Sequence, residues 1–436
     1  MEKRKNKLVT AVVADMQGNI FDLDGYAAVG MAGNLMSPLH EDQIIPVPYG
    51  SESMMLPDRR PVVYKISTGK IEILNKNPFK PQEPLFPVAI FNSPGYVITH
   101  ASAYKENKNA GFLPLFSYAA AGWHRGRMAT TAICIDKERR QDLRMMKYEK
   151  IKAGIKKMQK KMPGNRLRAH LETCALVYGC PAGKNFFLGR FEAPLPTSQQ
   201  CNAACLGCIS LQADGRIPCS QNRISFTPTA DEIAEIALAH ILRVKNAVVS
   251  FGQGCEGDPL FAAHVIEPSI RKIRSETPKG TINMNTNASK PGILKKLFDA
   301  GLDGIRISMN STRKPCYDAY FRPKGYQFSH VLESIRIAEN QKKHVAINYL
   351  NCPGFTDSPE EKASLIKFLE NYTVHMIQWR NLNFDPLRYF QIMASSASHS
   401  RPLGMKLLIN QIRKLFPNIQ FGYFNPPKEK YNHLIS

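Results

Sequence analysis

Three cysteines lie within eight residues of the sequence, in the stretch QQCNAACLGCISL (199–211). Cys201, Cys205 and Cys208 have the spacing C-x3-C-x2-C. Thiolates bind zinc and iron–sulfur clusters, but three of them are one fewer than either site needs for a complete set. Zinc sites usually combine two closely spaced pairs, and the nearest further candidates, Cys219 and His240, form no such pair. The pattern favours an iron–sulfur cluster with one iron open to a small molecule.

The elements that position these cysteines alternate between strands and helices from about residue 190 onward. The predicted strands are GRFEAPLPTSQQ, NAVVSFGQG, GTINMNTNAS, GIRISMNS, HVAINYLNCPG and VHMIQWRNLN. Helical patterns separate them, among them TADEIAEIALAHILRV with Thr229 as N-cap and Glu232 three residues later. Crossover helices imply parallel strands, and about six strands are fewer than the eight of a complete TIM barrel. We therefore expect an α/β sheet or barrel of parallel strands, with the cysteines on the rim where such sheets bind ligands.

The cysteine motif after the first strand resembles that of the radical S-adenosylmethionine (radical SAM) enzymes. The resemblance covers about residues 190–390 and implies that the α/β region is a partial (βα)6 TIM-like barrel. It also implies a [4Fe–4S] cluster held by Cys201, Cys205 and Cys208. It implies S-adenosylmethionine (SAM) on the open iron and reductive cleavage of SAM to a 5′-deoxyadenosyl radical. An electron donor such as a flavodoxin or a ferredoxin is implied as a partner.

A second stretch, SFGQGCEGDPL (250–260), occupies the place of the family's Gly-Gly-Glu-Pro motif after the next strand. In the family this motif holds the amino group of SAM. The resemblance implies that Gly257 and Asp258 line the amino pocket, with Glu256 as a second candidate. The sequence departs from the pattern because Asp258 stands where the family has Glu.

Polar residues on the following strands are candidates for the ribose and the carboxylate of SAM. Because side chains alternate along a strand, Asn285 and Asn287 share one face of theirs, as Arg306 and Ser308 do of theirs. Asn348 on the next strand is a weaker candidate. Each of these residues has an alternative role in capping a strand end.

The remaining cysteines have less specific interpretations. Cys255, Cys316 and Cys352 fall near the predicted rim and are candidates for a catalytic hydrogen donor, with packing as the alternative. Cys174 and Cys180 could form a second cluster with Cys134 or Cys219, or be incidental thiols. Gly207 stands where the family often has an aromatic residue, which leaves the adenine contact open. The sequence lacks a D-x-H-x-x-G motif, which disfavours cobalamin-dependent methyl transfer.

The net charge and the composition limit the partners and the compartment that we expect for this protein. The 436 residues carry a net charge of +22, and residues 137–168 contain thirteen Lys or Arg against three Asp or Glu. We expect a basic amphipathic helix over about 141–162, either a solvated face or a contact for RNA phosphates. The other positive charges are spread along the chain, so nucleic acid is the less favoured partner. No apolar run is long enough for a membrane span, and the irregular cysteine spacing suits a reducing compartment, so we expect a cytoplasmic protein.

The predicted organisation has four parts: a β-rich N-terminal domain (1–135) behind a basic tail, a basic helical linker (136–189), the partial barrel (190–395) and a helical extension (396–436). The leading hypothesis is a radical SAM enzyme acting on a peptide, a protein or a small molecule. An RNA-modifying radical SAM enzyme is the second, and a non-catalytic iron–sulfur or zinc scaffold is the third.

Overall fold

The computed structural model describes residues 7–212 and 215–431. The predicted basic tail at residues 1–6 lies outside the described residues. The chain divides into two compact units. The β unit comprises Met1–Asp136, Leu350–Ser364 and Trp379–Leu415, and the barrel unit comprises Lys137–Tyr349, Leu365–Gln378 and Phe416–Ser436. The four contiguous parts expected from the sequence remain a prediction, since these units combine separate stretches of chain.

The first part of the β unit is built from strands, as its composition predicts. They are β1 (Thr10–Ala14), β2 (Ile20–Ala32), β3 (Leu35–Pro38), β4 (Ile45–Pro46), β5 (Glu52–Met55), β6 (Arg59–Lys65), β7 (Lys70–Ile73), β8 (Phe86–Phe91), β9 (Tyr96–Ile98), β10 (Ala101–Ser102), β11 (Tyr104–Glu106), β12 (Ala119–His124), β13 (Arg127–Thr130) and β14 (Ala132–Cys134). Antiparallel pairings close five of them into a ring in the order β1, β8, β12, β10, β2. Closure leaves these five strands without a free edge, which protects them from pairing with other chains.

A buried ion pair joins the later part of the β unit to strands β6 and β11. The carboxylate of Asp385 accepts hydrogen bonds from the Arg59 guanidinium at 2.9 Å and from the Tyr104 hydroxyl at 2.7 Å. Asp385 also caps a helix, because it accepts from the backbone N–H groups of Leu387 and Arg388. Its charge is therefore satisfied at a position that solvent does not reach.

The barrel unit contains most of a seven-stranded sheet whose strands stand in chain order. They are β15 (Glu192–Pro194), β16 (Val248–Phe251), β17 (Thr281–Thr286), β18 (Gly304–Met309), β19 (His344–Asn351), β20 (Met376–Asn381) and β21 (Gln420–Gly422). The neighbouring strands pair in parallel, and the prediction of a partial TIM-like barrel is confirmed. The sheet has one strand more than the six predicted. Residues 420–422 follow a helix, are only three in number and carry no strand-like alternation, so the sequence pattern gave no sign of β21.

Helices fill the connections between the strands. They are α1 (Tyr148–Lys161), α2 (Arg166–Leu176), α3 (Pro181–Leu188), α4 (Ala230–Ile241), α5 (Ala263–Glu276), α6 (Pro291–Ala300), α7 (Lys314–Phe321), α8 (Phe328–Asn340), α9 (Pro359–Asn371), α10 (Pro386–Ser396) and α11 (Met405–Leu415). Helix α1 is amphipathic as predicted, with Ile151, Ile155 and Met158 buried. It begins at Tyr148 and not near residue 141, because residues 139–145 form two short 3-10 turns instead. None of the helices in residues 7–212 and 215–431 has both the length and the apolar character that crossing a bilayer requires.

The N-terminus of α4 carries the capping box that its sequence predicts. Thr229 accepts from the Glu232 amide, and the Glu232 carboxylate accepts from the Thr229 amide at 2.8 Å. The same carboxylate accepts from the Arg166 guanidinium at 2.8 Å on both oxygens, which joins α2 to α4. Hydrogen bonds from Arg166 lower the pKa of Glu232 from 4.5 to about 2, although partial burial opposes the shift.

Acid is therefore expected to weaken this helix contact. Because the folded-state pKa of Glu232 is depressed, its contribution to stability is complete above about pH 4.5 and is lost as the pH falls towards 2. Urea unfolding of the metal-free protein across this window should show a smaller loss of unfolding free energy in Glu232→Gln than in the wild type. Glu276→Gln, an exposed carboxylate at the end of α5, is the control. Equal acid dependence in Glu232→Gln and the wild type would contradict the assignment.

Candidate functional site

The cysteine loop follows β15, at the carboxyl edge of the parallel sheet. The backbone N–H of Ala204 donates to the Phe321 carbonyl at 2.9 Å, and that of Leu206 donates to the Tyr320 carbonyl at 3.0 Å. From the other side, the Lys324 N–H donates to the Asn202 carbonyl at 2.8 Å. The loop is thus held in place by the end of α7, a helix that the sequence analysis did not predict.

The thiols of this loop share a partly enclosed space. Burial raises the pKa of Cys201 to about 11, with the charge of Asp258 adding to the shift. Burial also raises the pKa of Cys205, and the neighbouring Cys208 and Cys201 add to that effect. The Arg223 guanidinium lies 3.7 Å from the Cys208 sulfur. At neutral pH the metal-free Cys201 and Cys205 are therefore protonated, and a metal that binds them displaces protons.

Glu256 connects the loops that follow β15 and β16. One carboxylate oxygen accepts from the backbone N–H groups of Thr197 at 2.8 Å and Ser198 at 2.9 Å. The other accepts from the N–H groups of Gly252 and Gln253, both at 2.7 Å. Burial raises the pKa of Glu256 to about 7, against the effect of these four amides. Both oxygens of this predicted SAM ligand are occupied by the protein's own backbone.

Gly257 and Asp258 lie against the residues that lead into the cysteine loop. The Gly257 N–H donates to the Ser198 carbonyl at 2.6 Å, and the Asp258 N–H donates to the Gln200 carbonyl at 2.8 Å. A side chain at position 257 would collide with the Gln200 carbonyl, so this close approach requires glycine. The backbone at 257–258 therefore fixes the start of the cysteine loop.

The Asp258 carboxylate is also bound within the protein. It accepts from the Thr286 hydroxyl at 2.9 Å, the Asn287 N–H at 2.7 Å and the Leu260 N–H at 3.0 Å. Burial raises its pKa despite these donors. Asp258 thereby connects the loop after β16 to the end of β17.

Asn285 and Arg306 both contact Asn425, a residue that the sequence analysis missed. Asn425, three residues beyond β21, accepts from the Gln378 side chain at 2.9 Å and from Arg306 at 3.4 Å. Its own amide group donates to side chains on the first three strands: Glu192 at 3.0 Å, Ser250 at 3.3 Å and Asn285 at 3.3 Å. Arg306 further donates to Gln378 at 3.0 Å. One side chain from near the end of the chain thus joins five strands.

Asn287 lies just beyond β17 and has a different neighbour from Asn285. Its side-chain amide donates to Asn202 of the cysteine loop at 2.8 Å, and Asn202 donates to the Ser289 hydroxyl at 3.0 Å. Asn202 stands between the first two cysteines, so this pair links the cysteine loop to the end of β17. Asn287 therefore positions the cysteine loop. The sequence analysis, which placed Asn287 beside Asn285 on one face of a strand, did not suggest this role.

Ser308 and Asn348 lie opposite each other in the register of β18 and β19. The side-chain oxygen of Asn348 is enclosed and has no hydrogen-bond partner within the described part of the chain. An enclosed acceptor without a donor is costly, so this atom is suited to a hydroxyl group of a ligand.

Comparison with known proteins identifies the region that carries this site. Residues 195–366 match the family model described as the Radical SAM superfamily. This stretch is similar to a radical SAM domain. An uncharacterized protein of Methanocaldococcus jannaschii is 25% identical over 226 residues, which are 49% of this chain and 77% of the relative.

Solved structures resemble the chain more distantly. The crystal structure of methylornithine synthase (PylB) has 17% identity and a TM-score of 0.37, over 59% of this chain and 74% of its own. Native anSMEcpe with bound AdoMet has 18% identity and a TM-score of 0.34, over 44% of this chain. The likeness spans about half of anSMEcpe, 52% of its length.

The three cysteines predicted as hydrogen donors occupy different places. Cys255 lies within the matched residues 195–366 and is 5% exposed, and its sulfur lies 3.7 Å from that of Cys174. Cys316 is fully buried on α7, and its carbonyl accepts from Asn310 at 3.1 Å. Cys352 belongs to the β unit, where it is 2% exposed. A catalytic role for any of them remains a prediction, and the burial of Cys316 agrees with its alternative role in packing.

Proposed function

We propose that this chain is a radical SAM enzyme that abstracts hydrogen from a peptide, a protein or a small-molecule substrate. The observation that carries the proposal is the cysteine loop. It presents Cys201, Cys205 and Cys208 together at the carboxyl edge of a parallel sheet.

The donor set fits a [4Fe–4S] cluster with one iron not bound by the protein. Cys201, Cys205 and Cys208 are partly exposed, share one short loop and have Arg223 beside them to balance thiolate charge. When bound and reduced, such a cluster cleaves SAM to a 5′-deoxyadenosyl radical. A flavodoxin or a ferredoxin would supply the electron, and the cytoplasm is the expected compartment.

The groups that we assign to SAM binding are those that are not already hydrogen-bonded within the protein. The carboxylates of Glu256 and Asp258 are fully engaged, so we assign them to positioning the loops and not to holding the SAM amino group. The backbone at Gly257 is the better candidate for that contact. We assign the side chains of Ser308 and Asn348 to the SAM hydroxyl groups, because the enclosed Asn348 oxygen has no hydrogen-bond partner among residues 7–212 and 215–431.

Anaerobic reconstitution with iron and sulfide tests the proposal. We expect about four irons and four sulfides per chain, as the cluster formula requires, and 5′-deoxyadenosine on adding SAM and dithionite. Deuterium transfer from candidate substrates into 5′-deoxyadenosine would then identify the substrate class. Zinc in the cysteine loop and no cleavage of SAM would contradict the proposal and favour the scaffold hypothesis.

The RNA-modifying alternative depends on the basic helix α1. Its buried side is apolar and its lysines are exposed, which is also the pattern of a solvated helix face. The structure adds no observation in favour of RNA, so this alternative remains a prediction.

A further inference from the structure

A second group of metal-binding residues lies in the barrel unit, apart from the cysteine loop in sequence. His170 and Cys174 stand four residues apart on α2 and therefore on one face of that helix. Cys255 follows β16, 81 residues further along the chain. Within this group, one ligand atom from each residue lies within 4.8 Å of the other two.

The distance between the two sulfurs distinguishes between the possible states of the pair. The Cys174 and Cys255 sulfurs are 3.7 Å apart. A disulfide would bring them to about 2.05 Å. Two thiolates on a tetrahedral zinc ion, each about 2.3 Å from the metal, lie about 3.8 Å apart. The observed separation excludes a disulfide, and it suits either a hydrogen bond between two thiols or two ligands of one metal ion.

The histidine supplies a second and independent observation. The Nε2 atom of His170 is shielded from solvent and has no hydrogen-bond partner in the described ranges 7–212 and 215–431. Cys174 and Cys255 are only 2% and 5% exposed. Buried polar groups without partners are rare, and a metal ion held by the two thiols would give the His170 imidazole a partner as well.

We propose that His170, Cys174 and Cys255 bind one zinc ion, with an exogenous group in the fourth position. Two thiolates and one imidazole form a ligand set that zinc uses in proteins. Binding replaces the thiol protons with the metal and releases them to solvent. The ion joins α2 to the loop that holds Glu256 and Asp258, and it makes Cys255 a ligand and not a hydrogen donor. The proposal does not depend on the proposed radical SAM activity.

The sequence analysis expected any second cluster of Cys174 to include Cys180 with Cys134 or Cys219. In the structure, Cys134 and Cys219 are exposed. Ligand atoms of Cys255 and His170 lie within 4.8 Å of the buried Cys174 thiol, and Cys180 interacts electrostatically with Cys174 and Cys255. The strand-to-helix connection after β16 brings Cys255 to α2, and no sequence spacing shows that contact.

Metal content in a chain that lacks the cysteine-loop ligands tests the site. The full-length protein carrying Cys201→Ala, Cys205→Ala and Cys208→Ala is purified without oxygen from zinc-supplemented cells. We expect about one zinc per chain by mass spectrometry, and X-ray absorption with two sulfurs at about 2.3 Å and one nitrogen at about 2.0 Å. Adding His170→Ala or Cys174→Ser should reduce the bound zinc at least tenfold, whereas adding Cys219→Ala should leave it unchanged.

A second measurement tests the site without the triple alanine variant, which could fold poorly. The wild-type protein, first loaded with iron and sulfide, is titrated with cobalt. The absorption of a tetrahedral cobalt–thiolate complex should appear, and Cys255→Ser should remove it. Failure to bind zinc or cobalt by protein with native circular dichroism would overturn the proposal. So would a Cys174–Cys255 disulfide in the anaerobically purified protein, found by thiol alkylation and mass spectrometry.

Discussion

Replacing Cys201 with alanine is expected to eliminate both cluster binding and SAM cleavage. Two thiolates cannot hold a [4Fe–4S] cluster as three do, so reconstituted iron should fall from about four per chain to near zero. Formation of 5′-deoxyadenosine from SAM and dithionite should fall below detection. Iron and sulfide analysis, together with chromatography of the reaction products, measures both effects.

The matched control is Cys219→Ala, which removes an exposed cysteine eleven residues after Cys208. This variant should keep its iron and its activity. Cys205→Ala should behave like Cys201→Ala, because all three thiols belong to one ligand set. If Cys201→Ala retained the wild-type iron content and cleaved SAM at the wild-type rate, the cysteine loop would not be the cluster site.

Replacing Glu256 with glutamine is expected to destabilise the barrel unit strongly. The two carboxylate oxygens accept from four backbone N–H groups, two on each of two loops. Glutamine presents an NH2 group to one pair of these donors and leaves them without an acceptor in a buried place. With about 1–3 kcal/mol for each unsatisfied donor, we expect the free energy of unfolding to fall by about 4 kcal/mol in buffer well above pH 7, where the Glu256 carboxylate is ionised.

Urea unfolding of the metal-free protein measures this change. Glu276→Gln serves as the control, because that carboxylate is exposed and the variant should unfold at the wild-type urea concentration. A loss of SAM binding in Glu256→Gln with unchanged stability would instead favour the direct role in the amino pocket that the sequence suggested.

The parts of the fold with strong local signals could be predicted from the sequence. The β1–β2 turn is an example, since Asp15 accepts from the N–H groups of Gln17 and Asn19 and all three residues are neighbours in sequence. The capping box of α4 is another, because Thr229 and Glu232 are three residues apart. The order of strands and helices predicted a parallel α/β sheet or barrel with the cysteine loop at its rim, and the family resemblance narrowed this to a partial barrel.

Features that depend on distant residues could not be predicted. Helix α7 and strand β21 are short, with eight and three residues, so neither is long enough to show a clear periodic pattern. The roles of Glu256 and Asp258 were assigned from a family motif, yet the structure shows loop N–H groups around both carboxylates. No spacing in the sequence reveals which backbone donors will surround an acidic side chain.

The hydrogen bonds that Asn425 makes to side chains on five strands have a consequence for how the chain folds. Its partner Glu192 on β15 lies 233 residues before Asn425, so the interior of the sheet cannot be completed until nearly all of the described chain has been synthesised. Contacts of such long sequence separation close large loops, and they slow folding because loop closure costs entropy. During translation, the first strands and the cysteine loop therefore exist for some time without their final support. Cluster assembly before release from the ribosome would meet an unfinished barrel, so we expect iron insertion to follow synthesis.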